Sequence, residues 1–169
     1  NNGFVVTKIC NKKNKELLTL LTIGIKYQSI NYMSDKDFVK EYLNDFSALI
    51  KPDEQIIKKV IEVKDLLVQT KNNSKKIMIF GNGGSAAIAS HFSVDLTKNA
   101  NIRCVNFNES DLITCFSNDY GYEKWVEKTV DFYADAGDVL ILISSSGKSL
   151  NIINACKAAR DKKISHIIT

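Results

Sequence analysis

Two short runs in the sequence carry the residue types that hold anions. They are Gly81-Asn82-Gly83-Gly84-Ser85 and Ser144-Ser145-Ser146-Gly147-Lys148-Ser149. Each follows an apolar stretch and leads into a segment of helical composition. A buried strand feeding such a turn and then a helix start converges backbone N–H groups where the helix dipole is positive. N-capping uses one hydroxyl, so four serines within six residues call for a further role. Together the two turns suit one dianionic phosphate and the hydroxyls of a sugar. His91 and Asp95 stand four apart, on one face of the helix that follows the first turn. Such a pair can share a metal, hold a base and its partner over a ligand at the turn, or simply pair in solvent.

More familiar phosphate motifs do not fit. A dinucleotide fingerprint, G-x-G-x-x-G, needs glycine at position 86, where alanine stands. It also needs an acidic residue near the end of the second strand, where Asn106 and Asn108 stand and Glu109 comes late. Gly147-Lys148-Ser149 ends like a P-loop, but Leu142 occupies the place of the required earlier glycine.

The elements that must position these turns alternate from Lys76 onward. Residues 77–80, 102–107, 138–144 and 164–169 read as strands, and residues 84–97, 110–116, 121–133 and 149–160 as helices. The alternation implies a parallel sheet with right-handed crossovers, which binds ligands beyond the carboxyl ends of its strands. Both turns therefore fall on one edge. Upstream, Ser34 is predicted to cap a helix with Asp35 and Asp37 in its first turn. Phe38, Tyr42, Phe46 and Leu49 make its apolar stripe, widened by Val39, Leu43 and Ile50. Pro52 is placed at the first position of a second helix striped by Ile56, Val60, Val63 and Leu67, with Ile57, Ile61 and Val68 beside them. These stripes need a partner, either the sheet or a bundle between subunits.

At 169 residues, 44% apolar and 25% charged, the chain suits one soluble domain. Its net charge of +4 sits in residues 1–33, and the remainder is neutral, without the basic stripe that nucleic acid requires. Cys10, Cys104, Cys115 and Cys156 form no C-x-x-C pair and are expected to be reduced structural thiols. Leu17–Ile25 is apolar, but Glu16 borders it, no small-residue cleavage site follows, and it is too short to span a bilayer. A cytoplasmic protein without a membrane partner is expected. Residues 1–33 read as a leader of unclear role. Residues 34–169 read as one α/β domain with an N-terminal helical hairpin. The last apolar run reaches Thr169, so the domain is expected to be incomplete at its C terminus. His166 is expected to be structural.

Three segments, GNGGSAAIASHFSVDLT, FSNDYGYEKW and GDVLILISSSGKSLNIINACKAAR, resemble in order and spacing the successive motifs of phosphoheptose isomerases. These SIS domain proteins interconvert sedoheptulose 7-phosphate and D-glycero-D-manno-heptose 7-phosphate. The resemblance covers about residues 35–169. It implies a flavodoxin-like three-layer α/β sandwich, and a homotetramer whose N-terminal helices form a central bundle. Residue by residue, Asn82, Gly83, Gly84 and Ser85 match the family's first substrate loop, and Asn118 and Asp119 its sugar-contacting pair. Ser144, Ser145, Ser146 and Ser149 match the phosphate-binding serines. His91 matches a zinc ligand, and Asp95 stands where many members carry a glutamate that binds zinc or moves the proton. The implied reaction is aldose–ketose isomerisation through a cis-enediol, in heptose synthesis for bacterial lipopolysaccharide or capsule.

Two departures matter. Asp95 is one methylene shorter than glutamate, which withdraws its carboxylate by about 1.5 Å. A misplacement of that order costs about 100-fold in rate. The family's other zinc ligands, a glutamine and a histidine, fall beyond Thr169, so the resemblance implies that the given chain is inactive alone. Two other roles stay open. A non-catalytic SIS protein, like the factor that associates with the bacterial replication initiator, would keep the turns without a base. A sugar-phosphate sensor would need a DNA-binding segment, which the leader is too short to supply.

Overall fold

The computed structural model describes residues 34–169 and the backbone of Val6 and Thr7. The rest of the leader, with Cys10 and the apolar run 17–25, lies outside the described residues. The chain divides into two compact units, residues 10–60 and residues 1–9 with 61–169.

The smaller unit holds α1 (Asp35–Leu49) and the start of α2 (Glu54–Asn72). Ser34 caps α1 as its position predicts, its hydroxyl accepting from the Asp37 N–H at 3.2 Å. Phe38, Tyr42, Phe46 and Leu49 are half-buried, and Val39, Leu43 and Ile50 are exposed. The predicted start of α2 is corrected. The helix opens at Glu54, and the cap is Asp53, whose Oδ1 accepts from the Ile56 N–H at 2.8 Å. A carboxylate that satisfies a free N–H and opposes the helix dipole outweighs the preset φ of Pro52.

The larger unit is a parallel α/β structure. Its strands are β1 (Val6–Thr7), β2 (Ile77–Gly81), β3 (Cys104–Asn106), β4 (Val139–Ile143) and β5 (His166–Ile168), in the order β1-β5-β4-β2-β3. The four main strands thus run 2-1-3-4 in their own sequence order, the flavodoxin-like pattern. Both faces are covered, so the strands are apolar throughout and alternate only in which core they feed. Ile77, Ile79, Val139 and Ile141 face Leu67 of α2, with Ala89 and Leu96 of α3 (Gly84–Lys98). Met78, Phe80, Leu140 and Leu142 face α5 (Trp125–Tyr133) and α6 (Leu150–Asp161), with α4 (Ser110–Tyr120) at the margin.

Some elements are shorter than the sequence predicts. Ile102 is not in β3, because its N–H closes the end of α3 on the Leu96 carbonyl at 2.8 Å. Ile164 likewise bonds back to Ala159. The predicted helix at 121–133 divides into a 3₁₀ turn, Tyr122–Lys124, and α5. Among the described cysteines, Cys104, Cys115 and Cys156 are free, and burial pushes the Cys104 thiol up to about 12.

At the amino ends of the strands Asp138, 1% exposed, ties three of them together. Its carboxylate accepts from the Lys76 N–H at 3.0 Å, from Lys76 Nζ at 2.5 Å and from the Asp135 N–H at 2.8 Å. Its carbonyl accepts from the N–H and hydroxyl of Ser165 at 2.8 and 2.9 Å. Burial works to lower the Lys76 pKa, but the hydrogen bonds and charges of Asp135 and Asp138 outweigh it and hold it above the ordinary 10.5. A raised folded-state value means that this stabilisation is complete below pH 10.5 and is lost as the pH rises beyond it. Asp138→Ala should lower stability by about 3 kcal/mol, because Lys76 and two backbone N–H groups lose their acceptor. Urea unfolding measures this, and an unchanged midpoint would show that the three strands do not depend on Asp138.

Candidate functional site

The strand order reverses between β2 and β4, which are parallel neighbours. Their last paired residues, Gly81 and Ile143, are in register. From that point the chain leaves β2 towards α3 on one face of the sheet and β4 towards α6 on the other. The two turns therefore start side by side and diverge, the arrangement that opens a crevice at a switch point.

The first turn is shaped by its glycines. A Cβ on Gly81 would run into the Ser85 carbonyl, so only glycine lets the turn double back this tightly. Gly83 has φ +54° and ψ −122°, a conformation that L side chains avoid, and it opens α3 without a side-chain cap. Its carbonyl accepts from Ala86 at 2.9 Å and Ala87 at 3.1 Å, while the Ser85 N–H closes on the Asn82 carbonyl at 3.0 Å. Gly83 and Gly84 are exposed, with open space where a Cβ would stand. Ser85 is half-buried.

The serine turn divides its labour. Ser144 Oγ accepts from the Gly147 N–H at 3.1 Å and lies 3.4 Å from Ser149 Oγ. Ser146 Oγ accepts from the Lys148 N–H at 3.1 Å. Ser149 stands at the N-cap of α6 without spending its hydroxyl on the helix. Ser145 and Ser146 are exposed. The run is thus a loop held by its own hydroxyls in front of a helix start, and simple capping does not explain it.

The two turns are joined. Asn82 Nδ2 donates to Asn151 Oδ1 at 3.0 Å, and Asn151 Nδ2 donates back to Asn82 Oδ1 at 2.8 Å. The Tyr122 hydroxyl donates to the same Asn82 oxygen at 3.1 Å. Asn151 lies in the first turn of α6, is 2% exposed, and also accepts from the Ile152 N–H at 3.0 Å. Neither Asn151 nor Tyr122 stands out in the sequence. A buried asparagine in a first helical turn needs a hydrogen-bond partner, but its burial is not readable from the sequence.

The remaining candidates lie on exposed helix faces. His91 Nε2 is 3.4 Å from Asp95 Oδ2, with side chains 82% and 46% exposed, and Asp95 Oδ1 also accepts from Asn99 at 3.1 Å. Two donors on one tetrahedral zinc, each at about 2.1 Å, stand about 3.4 Å apart, so this pair fits as two ligands. Among the described residues no group of three His, Cys, Asp or Glu completes such a site. Asn118 Nδ2 bonds to Asp119 Oδ1 at 3.0 Å, and both are exposed near the end of α4. His166 lies away from these groups. With Leu66, Thr70, Lys75 and Ser165 it lines a cavity of about 290 Å³ at the amino ends of the strands, where its Nδ1 is buried with no partner among the described residues.

Residues 38–168 match the SIS domain family. The phosphoheptose isomerase of Aliarcobacter butzleri is 36% identical over 129 residues, which are 73% of this chain and 68% of the relative. The solved phosphoheptose isomerase GmhA from Neisseria gonorrhoeae superposes with a TM-score of 0.71 at 31% identity, over 79% of this chain and 72% of that one. A phosphoheptose isomerase structure from Francisella tularensis gives 0.73 at 25% identity, over 80% and 75%.

The glycine turn is open to a direct test. Gly81→Ala should cost about 2 kcal/mol, because the Ser85 backbone must move. Inorganic phosphate should raise the melting temperature of the wild type, and Gly81→Ala should remove that rise. Thermal unfolding with and without phosphate reads both, and a variant that keeps both would mean the turn tolerates a Cβ.

Proposed function

The chain belongs to the phosphoheptose isomerases of the SIS domain family, and we propose that it interconverts sedoheptulose 7-phosphate and D-glycero-D-manno-heptose 7-phosphate. The observation that carries this is the in-register start of the glycine and serine turns at the switch point, with His91 and Asp95 on the helix behind the first. Gly83 and Gly84 present backbone N–H groups at the start of α3, Ser85 adds its side chain to the loop, and Ser144, Ser145, Ser146 and Ser149 take the 7-phosphate. Asn118 and Asp119 contact the sugar hydroxyls. Binding the phosphate at a distance from the reacting carbons orients them without altering the chemistry.

At the reacting end, Asp95 takes the proton from C1 of the ketose and returns it to C2, while the O1 hydroxyl proton passes to O2 through the cis-enediol, giving the aldose. His91, 3.4 Å away, orients the carboxylate. The same two side chains are the donors that would hold a zinc ion. The chemistry zinc supplies there when bound is Lewis-acid polarisation of the sugar's oxygens.

We place the protein in the cytoplasm, in heptose supply for lipopolysaccharide or capsule, as a homotetramer built through its N-terminal helices. Among the described residues no helix is long and apolar enough to cross a membrane. Val39, Leu43, Ile50, Ile56, Ile57 and Val60 are large apolar side chains left exposed on α1 and α2, which supports a helical interface. Leu43→Lys should then convert a tetramer to smaller species in light scattering, and an unchanged mass would move the interface elsewhere.

A second role, binding a phosphosugar without turning it over, draws on the exposure of His91 and the short reach of Asp95. An isomerase assay of the intact protein on sedoheptulose 7-phosphate, with and without added zinc, separates the two. Asp95→Asn should lower kcat by about 100-fold or more while the ligand still binds. Ser146→Ala should raise KM about tenfold with kcat little changed. Binding without turnover in the wild type would favour the second role, and normal turnover in Asp95→Asn would place the base elsewhere.

A further inference from the structure

We infer that Asn151 is a positioning residue for the phosphosugar site: with Tyr122 it clasps Asn82 and so sets the distance between the glycine turn and the serine turn. The inference rests on the proposed function for its ligand, but its geometry stands apart from it. Asn82 lies at the head of the first turn and Asn151 two residues after the second, so the only covalent route between them is the chain from 82 to 151. Across the crevice they exchange two hydrogen bonds, at 3.0 and 2.8 Å. This is the full complement that two facing amides can make.

The clasp has no slack. Asn82 Oδ1 accepts from both Asn151 and Tyr122, which uses both its lone pairs. Asn151 Oδ1 accepts from both Asn82 and the Ile152 N–H, so Asn151 is fixed to the first turn of α6 as well as to the first loop. Tyr122 belongs to the 3₁₀ turn, which α6 holds a second time through Asn154 Nδ2 on the Glu123 carbonyl at 2.9 Å. Asn151 is 2% exposed, so its influence on a bound sugar passes through the loops it joins. Asn82 is thereby largely committed. Its carbonyl faces the protein, and what it offers a ligand is at most one N–H.

Replacing one amide by a carboxylate gives a selective test. In Asn151→Asp at neutral pH, whichever way Asn82 turns, one carboxylate oxygen meets either no donor or the Asn82 oxygen. Burial and the facing Asn82 oxygen raise such a carboxyl above its ordinary range, and protonation restores a donor of nearly the same shape. The groups facing position 151 are the Asn82 amide, the Ile152 N–H and, beyond Asn82, the Tyr122 hydroxyl. The Glu123 carboxylate lies against Gly121 and is present in the wild type too.

The experiment compares wild type, Asn151→Asp and Tyr122→Phe in the intact protein. It measures KM for sedoheptulose 7-phosphate and amide hydrogen exchange in residues 82–85 and 144–149, at about pH 7.5 and about pH 5.5. Relative to wild type at each pH, Asn151→Asp should raise KM about tenfold at the higher pH and recover most of it at the lower, with exchange in both turns faster only at the higher pH. Tyr122→Phe should raise KM by a smaller factor at both. Turnover by the wild type with unchanged KM in Asn151→Asp overturns the inference and leaves the proposed function standing. Absence of turnover in the wild type removes the proposed function, and exchange then decides the clasp alone, equal protection of both turns in Asn151→Asp overturning it. A defect that does not recover at low pH overturns it as well, since that marks a merely structural residue.

Discussion

The parallel pairing of β2 with β4 is the constraint from which the rest of this protein follows. It brings Gly81 and Ile143 into register, and so fixes where two chemically specialised turns begin. Parallel neighbours cannot be joined by a short hairpin, so each must be followed by a crossover. Right-handed crossovers on either side of the reversal send α3 and α6 to opposite faces. The crevice between the turns is a consequence of that handedness. Its chemistry comes from which residues the turns carry.

Stability and the proposed binding site use opposite ends of the same strands. At the amino ends, Asp138 gathers Lys76, Asp135 and Ser165, closing the sheet with a buried carboxylate whose partners are satisfied. At the carboxyl ends, the exposed Gly83, Gly84, Ser145 and Ser146 form a polar rim. Between them the two apolar faces, Ile77 with Ile79 and Met78 with Phe80, hold the strands rigid. A rigid sheet under a polar rim is what an oriented phosphate requires, because misplacement of a reacting carbon is costly.

Much of this is legible in the sequence, for a physical reason. The alternation of apolar strands with helices, the glycine turn after β2 and the Ser34 cap are local, each set by a few neighbouring residues. Even the sharing of one edge by the two turns follows from parallel topology alone. What is not legible depends on partners distant in sequence. Asn82 reads only as part of the first loop, and the partners of its oxygen, Asn151, 69 residues away, and Tyr122, leave no mark in its neighbourhood. Asp138 reads as the first residue of a strand, not as its clasp. Pro52 misleads because a neighbouring aspartate competes for the same helix start and wins. His91 and Asp95 are brought together as their spacing predicts, but their exposed setting gives no sign of the groups that would complete a reactive centre.

The central claim is that the two turns act as one cradle for a single phosphosugar. Backbone amide shifts measured by NMR during a titration with sedoheptulose 7-phosphate test it most directly. The account predicts that amides in 83–85 and in 144–149 move together and saturate at one ligand per chain. Movement of only one turn, or of the two turns with separate affinities, would contradict it.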